Sequence, residues 1–283
     1  MTALISISGQ SGSGCSKVEK RRIPMNTTNQ QQERVNVLCL KWGTRYPAYY
    51  VNNLYAGVKK YLHRPFRFVC ITDDKAGLDQ GVEAVDILPD PHMPWPWPNI
   101  FMKLAVTADG AADLKGPTLF LDIDIAITGD LDCFFEYMPG KNCIIHNWVE
   151  LRKTIFKKAP AIGNSSVFRF EAGRSQYIYE TFLAQMNRAI DKNYFRTEQA
   201  FLTHAMKEVY WWPNEWVRSF KRHAMWMFPL NHLFTPTLPP KCRILAFHGK
   251  PDPDEALVGY QGKHLHQYCK PVPWLSTYWP RES

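Results

Sequence analysis

Two aspartates, Asp122 and Asp124, close an apolar run, TLFLDID, in a chain of 283 residues. In an extended strand, residues i and i+2 project to one face, so both carboxylates can approach one cation. Hard cations such as Mn²⁺ or Mg²⁺ take oxygen ligands, and one or two carboxylates plus substrate phosphates commonly share them. The chemistry this spacing predicts is neutralisation of a departing phosphate group by a metal held at Asp122 and Asp124. A second pair at the same spacing, Asp130 and Asp132, follows a glycine and precedes an apolar segment, which reads as a turn or helix start.

What must position such a pair is a buried strand whose end reaches a ligand crevice. VNVLCL (35–40) reads as a strand, KWGTRYP as a turn, AYYVNNLYAGVKKYL as a helix ending near His63, and FRFVCITDD as a second strand ending in acids. Strand, helix and strand at this spacing make a parallel crossover, and ligands then bind beyond the carboxyl ends of the strands. Further strands are expected at VEAVDIL, GPTLFLDID, NCIIHNW, SSVFRF and RILAFHG, with helices over 101–114, 173–190 and 196–207. PDPHMPWPWPNI is too rich in proline for regular structure and predicts a shaped loop. The expected fold class is α/β, a mostly parallel, Rossmann-like sheet with helices on both faces. Residues 1–33, rich in Ser, Gly, Gln and Lys, are expected to be a disordered tail, 34–255 the folded domain and 256–283 a C-terminal extension.

Composition narrows the partners. A hydrophobic share of 45% excludes disorder throughout, and no run of roughly 20 apolar residues is present to span a bilayer. Seven scattered cysteines without a C-x-x-C pair predict reduced thiols and a cytoplasmic protein. The net charge of +8 suits an anionic ligand or an anionic leaflet. The basic residues are spread along the chain with no reader motif, which argues against nucleic acid. The aromatic segments YWWPNEW and WMF suit core filling, sugar stacking or a membrane interface.

Several segments taken in order, from Val35 to Pro253, resemble the retaining glycosyltransferases of family 8 and their relatives, whose GT-A fold carries a D-x-D motif. Thr44 and Arg45 in KWGTRYPAYY stand where that family's first loop faces the nucleotide, and Asp73 in CITDD where an acid lies near the base. Lys103 in NIFMKLAV corresponds to a basic residue able to bridge the aspartates and the donor, with Lys in place of Arg. Asn164, with Ser165 and Ser166, resembles the segment lining the sugar pocket, Ser166 replacing a glycine. Glu198 and Gln199 in FRTEQAFL resemble the pair beside the donor sugar. FHGKP resembles, with compressed spacing, the segment in which His248 completes the metal site while Gly249 and Lys250 meet the diphosphate. His264 and His266 read as surface histidines.

The resemblance implies metal-dependent transfer of a hexose from a nucleotide sugar, a UDP-sugar, to a saccharide or lipid-linked acceptor, with retention and with Mn²⁺ or Mg²⁺ as cofactor. Two alternatives remain open at this level. One is a phosphatase of the haloacid dehalogenase type with Asp122 as nucleophile, although Ile125 and Ala126 depart from its motif. The other is a non-catalytic protein that binds sugar nucleotides.

Overall fold

The computed structural model describes residues 34–92, 98–148, 161–191, 193–195 and 197–280. The expected N-terminal tail and most of the PWPWP loop lie outside the described residues. Strands β1 (Val35–Lys41), β2 (Phe66–Thr72), β3 (Glu83–Asp86) and β4 (Gly116–Leu121) run parallel, with the helix Tyr49–Tyr61 connecting the first two. β5 (Ile125–Ile127) leaves the main sheet, β6 (Cys143–His146) and β7 (Gly163–Ala172) return to it, and β8 (Tyr210–Trp211) completes it. The seven strands lie in the order β3-β2-β1-β4-β7-β6-β8, and β7 alone runs against its neighbours. β9 (Val217–Ser219), β10 (Ile244–Ala246) and β5 make a smaller sheet in the order β5-β10-β9, while β11 (Tyr260–Gln261) and β12 (Tyr268–Cys269) form a short ladder.

Every residue of β1 is buried, as expected for a strand with parallel neighbours on both sides and helices on both faces. Alternation sorts its side chains. Val35, Val37 and Cys39 join the core under Tyr49–Tyr61 with Leu54 and Val58, whereas Leu38 and Leu40 pack on the other face. There they meet Phe182 of the helix Gln176–Ala184 and Phe201 of the helix Glu198–Ala205. The α/β reading and its two helical layers therefore hold.

Boundaries differ from expectation in three places. The helix expected over 101–114 is only Met102–Ala105 followed by a 3₁₀ turn at Ala111–Asp113, because Gly110 takes a left-handed φ of 79° and breaks the pattern. The 173–190 stretch divides at Gln185 into Gln176–Ala184 and Met186–Ile190. The strand expected through TLFLDID stops at Leu121, so the two aspartates lie beyond it, in the turn leading to β5.

Residues expected as an extension pack into the core beneath Tyr49–Tyr61. Trp279 and Leu275 are fully buried there, and the Trp279 ring meets that of Tyr50 edge-on at 5.0 Å. Cys39, Cys70, Cys133, Cys143, Cys242 and Cys269 are free thiols. Among the described residues no helix is long and apolar enough to cross a membrane.

Candidate active site

Parallel strands bring their carboxyl ends to one edge of the sheet, so Lys41 at the end of β1, Thr72 at the end of β2 and Leu121 at the end of β4 deliver their following loops together. β7 runs the other way, and its beginning therefore reaches the same edge. The Asp122 N–H donates to Ser166 O at 2.9 Å, one step past the β4–β7 ladder. The result is a cleft of about 370 Å³ lined by Trp42, Arg45, Tyr46, Lys103, Asp122, Asp124 and Glu198, among others.

Lys103 grips Asp122, its Nζ lying 2.6 Å from Oδ1 and 2.9 Å from Oδ2. The same ammonium donates to Ser165 Oγ at 3.3 Å, and Ser165 in turn donates to Glu198 Oε1 at 2.5 Å. A lysine in an apolar helical pattern needs partners, and these are they. Burial works against its charge, yet Asp122 and Glu198 more than offset that and hold the Lys103 ammonium above the usual lysine range. Glu198 opens its helix behind Thr197, whose side chain accepts from Ala200 N at 3.3 Å as an N-cap.

Among the described residues Asp124 has no lysine or arginine at ion-pair distance, and its Oδ2 accepts from the Tyr46 hydroxyl at 3.5 Å. Burial, then the Asp122 carboxylate, pushes its carboxyl up to about 7, and the more distant Lys103 only partly opposes this. Three carboxylates, Asp122, Asp124 and Glu198, thus line the cleft together with three cations, Lys41, Arg45 and Lys103, of which Lys103 is engaged by Asp122. The enclosed carboxylate pair Asp122 and Asp124 fits a divalent cation held through oxygen.

Other expected residues lie at varied distances from this centre. Arg45 lines the cleft with its guanidinium 4.8 Å over the Tyr46 ring and 3.8 Å from Asp252 Oδ1. Thr44 is exposed in the same loop. Asp73 accepts from Gly43 N at 2.8 Å, which fixes the loop after β1 where Gly43 takes a φ of 65°. Asn164 accepts from Ser166 N at 3.0 Å and so shapes the start of β7. Glu198 lines the cleft; Gln199, the next residue on the helix, is not among its lining side chains.

The FHGKP segment is tied to the aspartates through its backbone, Phe247 N donating to Asp124 O at 3.2 Å. The His248 ring shares a 2.6 Å hydrogen bond between Nε2 and Ser219 Oγ and stacks on Trp148. Burial, then the positive Lys221 and Arg222, drops its pKa to about 4, so the imidazole is neutral, the form a metal ligand requires. Gly249 has a φ of 73°, and Lys250 donates to Asp252 Oδ2 at 2.9 Å and Glu255 Oε1 at 2.6 Å. Among the described residues His248 does not join Asp122 and Asp124 in a group whose ligand atoms all lie within 4.8 Å.

That criterion is met by His63, Asp130 and Asp132 instead. Asp132 accepts from His63 Nδ1 at 2.7 Å and Arg64 Nε at 2.9 Å, while Asp130 accepts from Arg243 at 2.8 Å. Although burial opposes it, the Arg64 and His63 hydrogen bonds hold the Asp132 carboxyl down at about 2. Two guanidiniums occupy these carboxylates, so the second aspartate pair is a structural ion-pair staple, in keeping with its reading as a turn.

Sequence reasoning missed Lys41, a fully buried lysine at the cleft whose Nζ is 4.0 Å from Asp74, and Tyr46 beside Asp124. The signal for Lys41 was available, a charge closing an otherwise apolar strand. Buried Asp252, whose Oδ1 has no hydrogen-bond partner, also had no local signature.

No sequence-family model and no curated protein sequence matches the chain. Solved structures do. An active-site mutant of LgtC matches with a TM-score of 0.53 at 12% identity, over 77% of this chain and 89% of that one. Galactosyltransferase LgtC in complex with donor and acceptor sugar analogs matches with a TM-score of 0.50 at 13% identity, over 77% and 88%. The apo bifunctional glycosyltransferase WbbM matches with a TM-score of 0.52 at 13% identity, over 77% of this chain but only 46% of its own. At such identities the likeness is one of fold, and with the strand order and the ligand edge described above it shows that this chain has the GT-A fold.

Proposed function

We propose that the protein is a metal-dependent glycosyltransferase that moves a hexose from a UDP-sugar to a hydroxyl of a saccharide or lipid-linked acceptor, with retention of configuration. The observation that carries this reading is the array Asp124, Asp122–Lys103–Ser165–Glu198 gathered in one cleft at the carboxyl edge of a GT-A sheet. The LgtC structure is described as a complex with donor and acceptor sugar analogs, which supports the same ligand classes here. A phosphatase reading of Asp122 loses its ground once the fold is GT-A.

Mn²⁺ or Mg²⁺, held by Asp122 and Asp124 with His248 as a further candidate ligand, would supply Lewis-acid neutralisation of the diphosphate. The remaining work belongs to the chain. Lys103 holds Asp122 by both oxygens and fixes its orientation. Trp42 and Tyr46 offer flat faces beside the loop that Asp73 secures, suited to a nucleobase. Arg45 at the rim and Lys250, once released from Asp252 and Glu255, carry positive charge for the phosphates. Ser165, Asn164 and Glu198 offer hydrogen bonds to sugar hydroxyls, with Gln199 adjacent. In the mechanism proposed, Asp122 and Asp124 are taken up by the metal and Glu198 by Ser165, and the acceptor oxygen attacks C1 on the face the diphosphate leaves. The C1–O bond to phosphate breaks as the new C1–O bond forms, and the acceptor proton passes to the leaving phosphate oxygen.

A panel of nucleotide sugars incubated with the protein tests this. Hydrolysis of a UDP-hexose that requires Mn²⁺ or Mg²⁺ is expected. Calorimetric binding of UDP with Mn²⁺ but no turnover of any donor or acceptor would favour the non-catalytic, sugar-nucleotide-binding alternative.

Asp124 adds a pH dependence. Its carboxyl titrates at about 7 when folded and near the ordinary 3.8 when unfolded. Between those values the metal-free folded state keeps a proton that the unfolded chain has lost, so this group's contribution to stability falls as pH rises through the window. A cation must displace that proton. Thermal melts should therefore show little Mn²⁺ stabilisation near pH 5 and a clear gain at about pH 8. Equal gains at both would reject the assignment.

A further inference from the structure

The aromatic residues divide into two groups. Trp212, Trp216 and Tyr137 interlock in the core, with Trp212 donating to Val167 O at 3.3 Å. Trp226, Met227, Phe228, Leu230, Leu233 and Phe234 do the reverse and are exposed within nine residues of chain. Met227 is 82% exposed and Leu233 66%. A soluble surface does not ordinarily gather this many large apolar side chains.

Ring contacts and backbone hydrogen bonds tie the segment together and to its neighbours. The rings of Trp226 and Phe234 lie 5.2 Å apart, and His232 packs between Phe228 and Tyr268. His232 Nε2 is bonded to Leu265 O at 2.8 Å, which brings the exposed Leu265 alongside, and Lys270 donates to Leu233 O at 3.0 Å. Hydrogen bonds to β12 and its neighbours thus hold the segment in place, with Asn231 donating to Tyr268 O at 2.8 Å. The side chains point outward on a secured backbone.

Charge selects the occupant. From residue 216 to 251 the chain contains Arg218, Lys221, Arg222, Lys241, Arg243 and Lys250 and no aspartate or glutamate, with Arg243 and Lys250 paired to Asp130 and to Asp252 and Glu255. From 256 to 280 it contains Lys263 and Lys270 and again no acid. A second copy of this face would bring like charges together, and nucleic acid would leave the apolar side chains unburied. An anionic bilayer accepts both parts, since Trp, Phe and Leu insert at the headgroup boundary while lysine and arginine meet lipid phosphates.

We infer that the Trp226–Phe234 segment, flanked by Lys221, Arg222, Lys263 and Lys270, is a docking surface for an anionic lipid bilayer. The segment follows directly on the π-helical turn Phe220–Ala224, which is capped by Ser219, the residue bonded to His248. The inference does not depend on the catalytic proposal, because partition onto vesicles is measured without turnover.

The test is flotation of the full chain with vesicles of mixed phosphatidylcholine and phosphatidylglycerol, and with phosphatidylcholine alone. Binding to the mixed vesicles is expected, weakened by salt. Met227→Asp with Leu233→Asp should reduce it by about tenfold or more, with unchanged circular dichroism because both side chains project into solvent. Lys221→Glu with Lys263→Glu, which leaves the apolar residues intact, should reduce it by a similar factor. Failure of the wild-type chain to float with anionic vesicles would overturn the inference. So would equal binding by the variants, or wild-type self-association abolished by the same substitutions without vesicle binding.

Discussion

Asp122→Asn is expected to lower metal-dependent donor hydrolysis by about 10³-fold, the scale of losing a pre-organised charge contact to a developing anion. The substitution keeps the shape of the side chain and removes the charge that Lys103 grips at 2.6 and 2.9 Å and that a cation would share with Asp124. Both partners of Asp122 are therefore affected. Asp132→Asn is the matched control because it sits at the same spacing in the second pair. It should leave turnover intact and instead weaken stability, since its oxygens hold His63 and Arg64. Unchanged hydrolysis by a folded Asp122→Asn protein would remove the catalytic proposal, and a comparable loss in Asp132→Asn would move the site.

Trp279→Ala should cost about 4 kcal/mol of stability, the usual range for emptying the space of a buried tryptophan. The side chain is 1% exposed, packs edge-on against Tyr50 and shares a core with Val37, Leu54 and Val58. For a domain of this size that corresponds to a fall in melting temperature of roughly 10 °C. Trp279→Phe keeps most of the ring and deletes an indole N–H that has no partner, so its cost should stay below about 1.5 kcal/mol. A melt unchanged by Trp279→Ala would mean that the segment is peripheral to the fold.

Trp279 also marks what the sequence could not disclose. Its segment has no periodicity, and its burial comes from a partner, Tyr50, more than two hundred residues away. The parallel strands, by contrast, were legible because apolar runs such as VNVLCL and FRFVCIT follow from burial on both faces. At the site, Asp122 and Lys103 stood out because charges next to apolar runs need partners, and they proved to be each other's, whereas Glu198 was reached only through the family resemblance. Tyr46 and Asp252 did not stand out, since a tyrosine in a turn and an aspartate before a proline-led helix are ordinary locally. The helix expected over 101–114 failed at Gly110, where backbone conformation overrode side-chain pattern.

The aspartates occupy the three-residue link between the last strand of one sheet's parallel set and the first strand of another sheet. β4 ends at Leu121, β5 begins at Ile125, and β10 is fastened to the link by the Phe247–Asp124 backbone bond. Asp122 therefore moves with the large sheet and Asp124 with the small one. Under the proposed metal-binding role, a displacement between the sheets would alter the gap between the two carboxylates, and cation affinity would then report strain at that joint. By reciprocity, a cation bound across the gap clamps the sheets together with the same free energy.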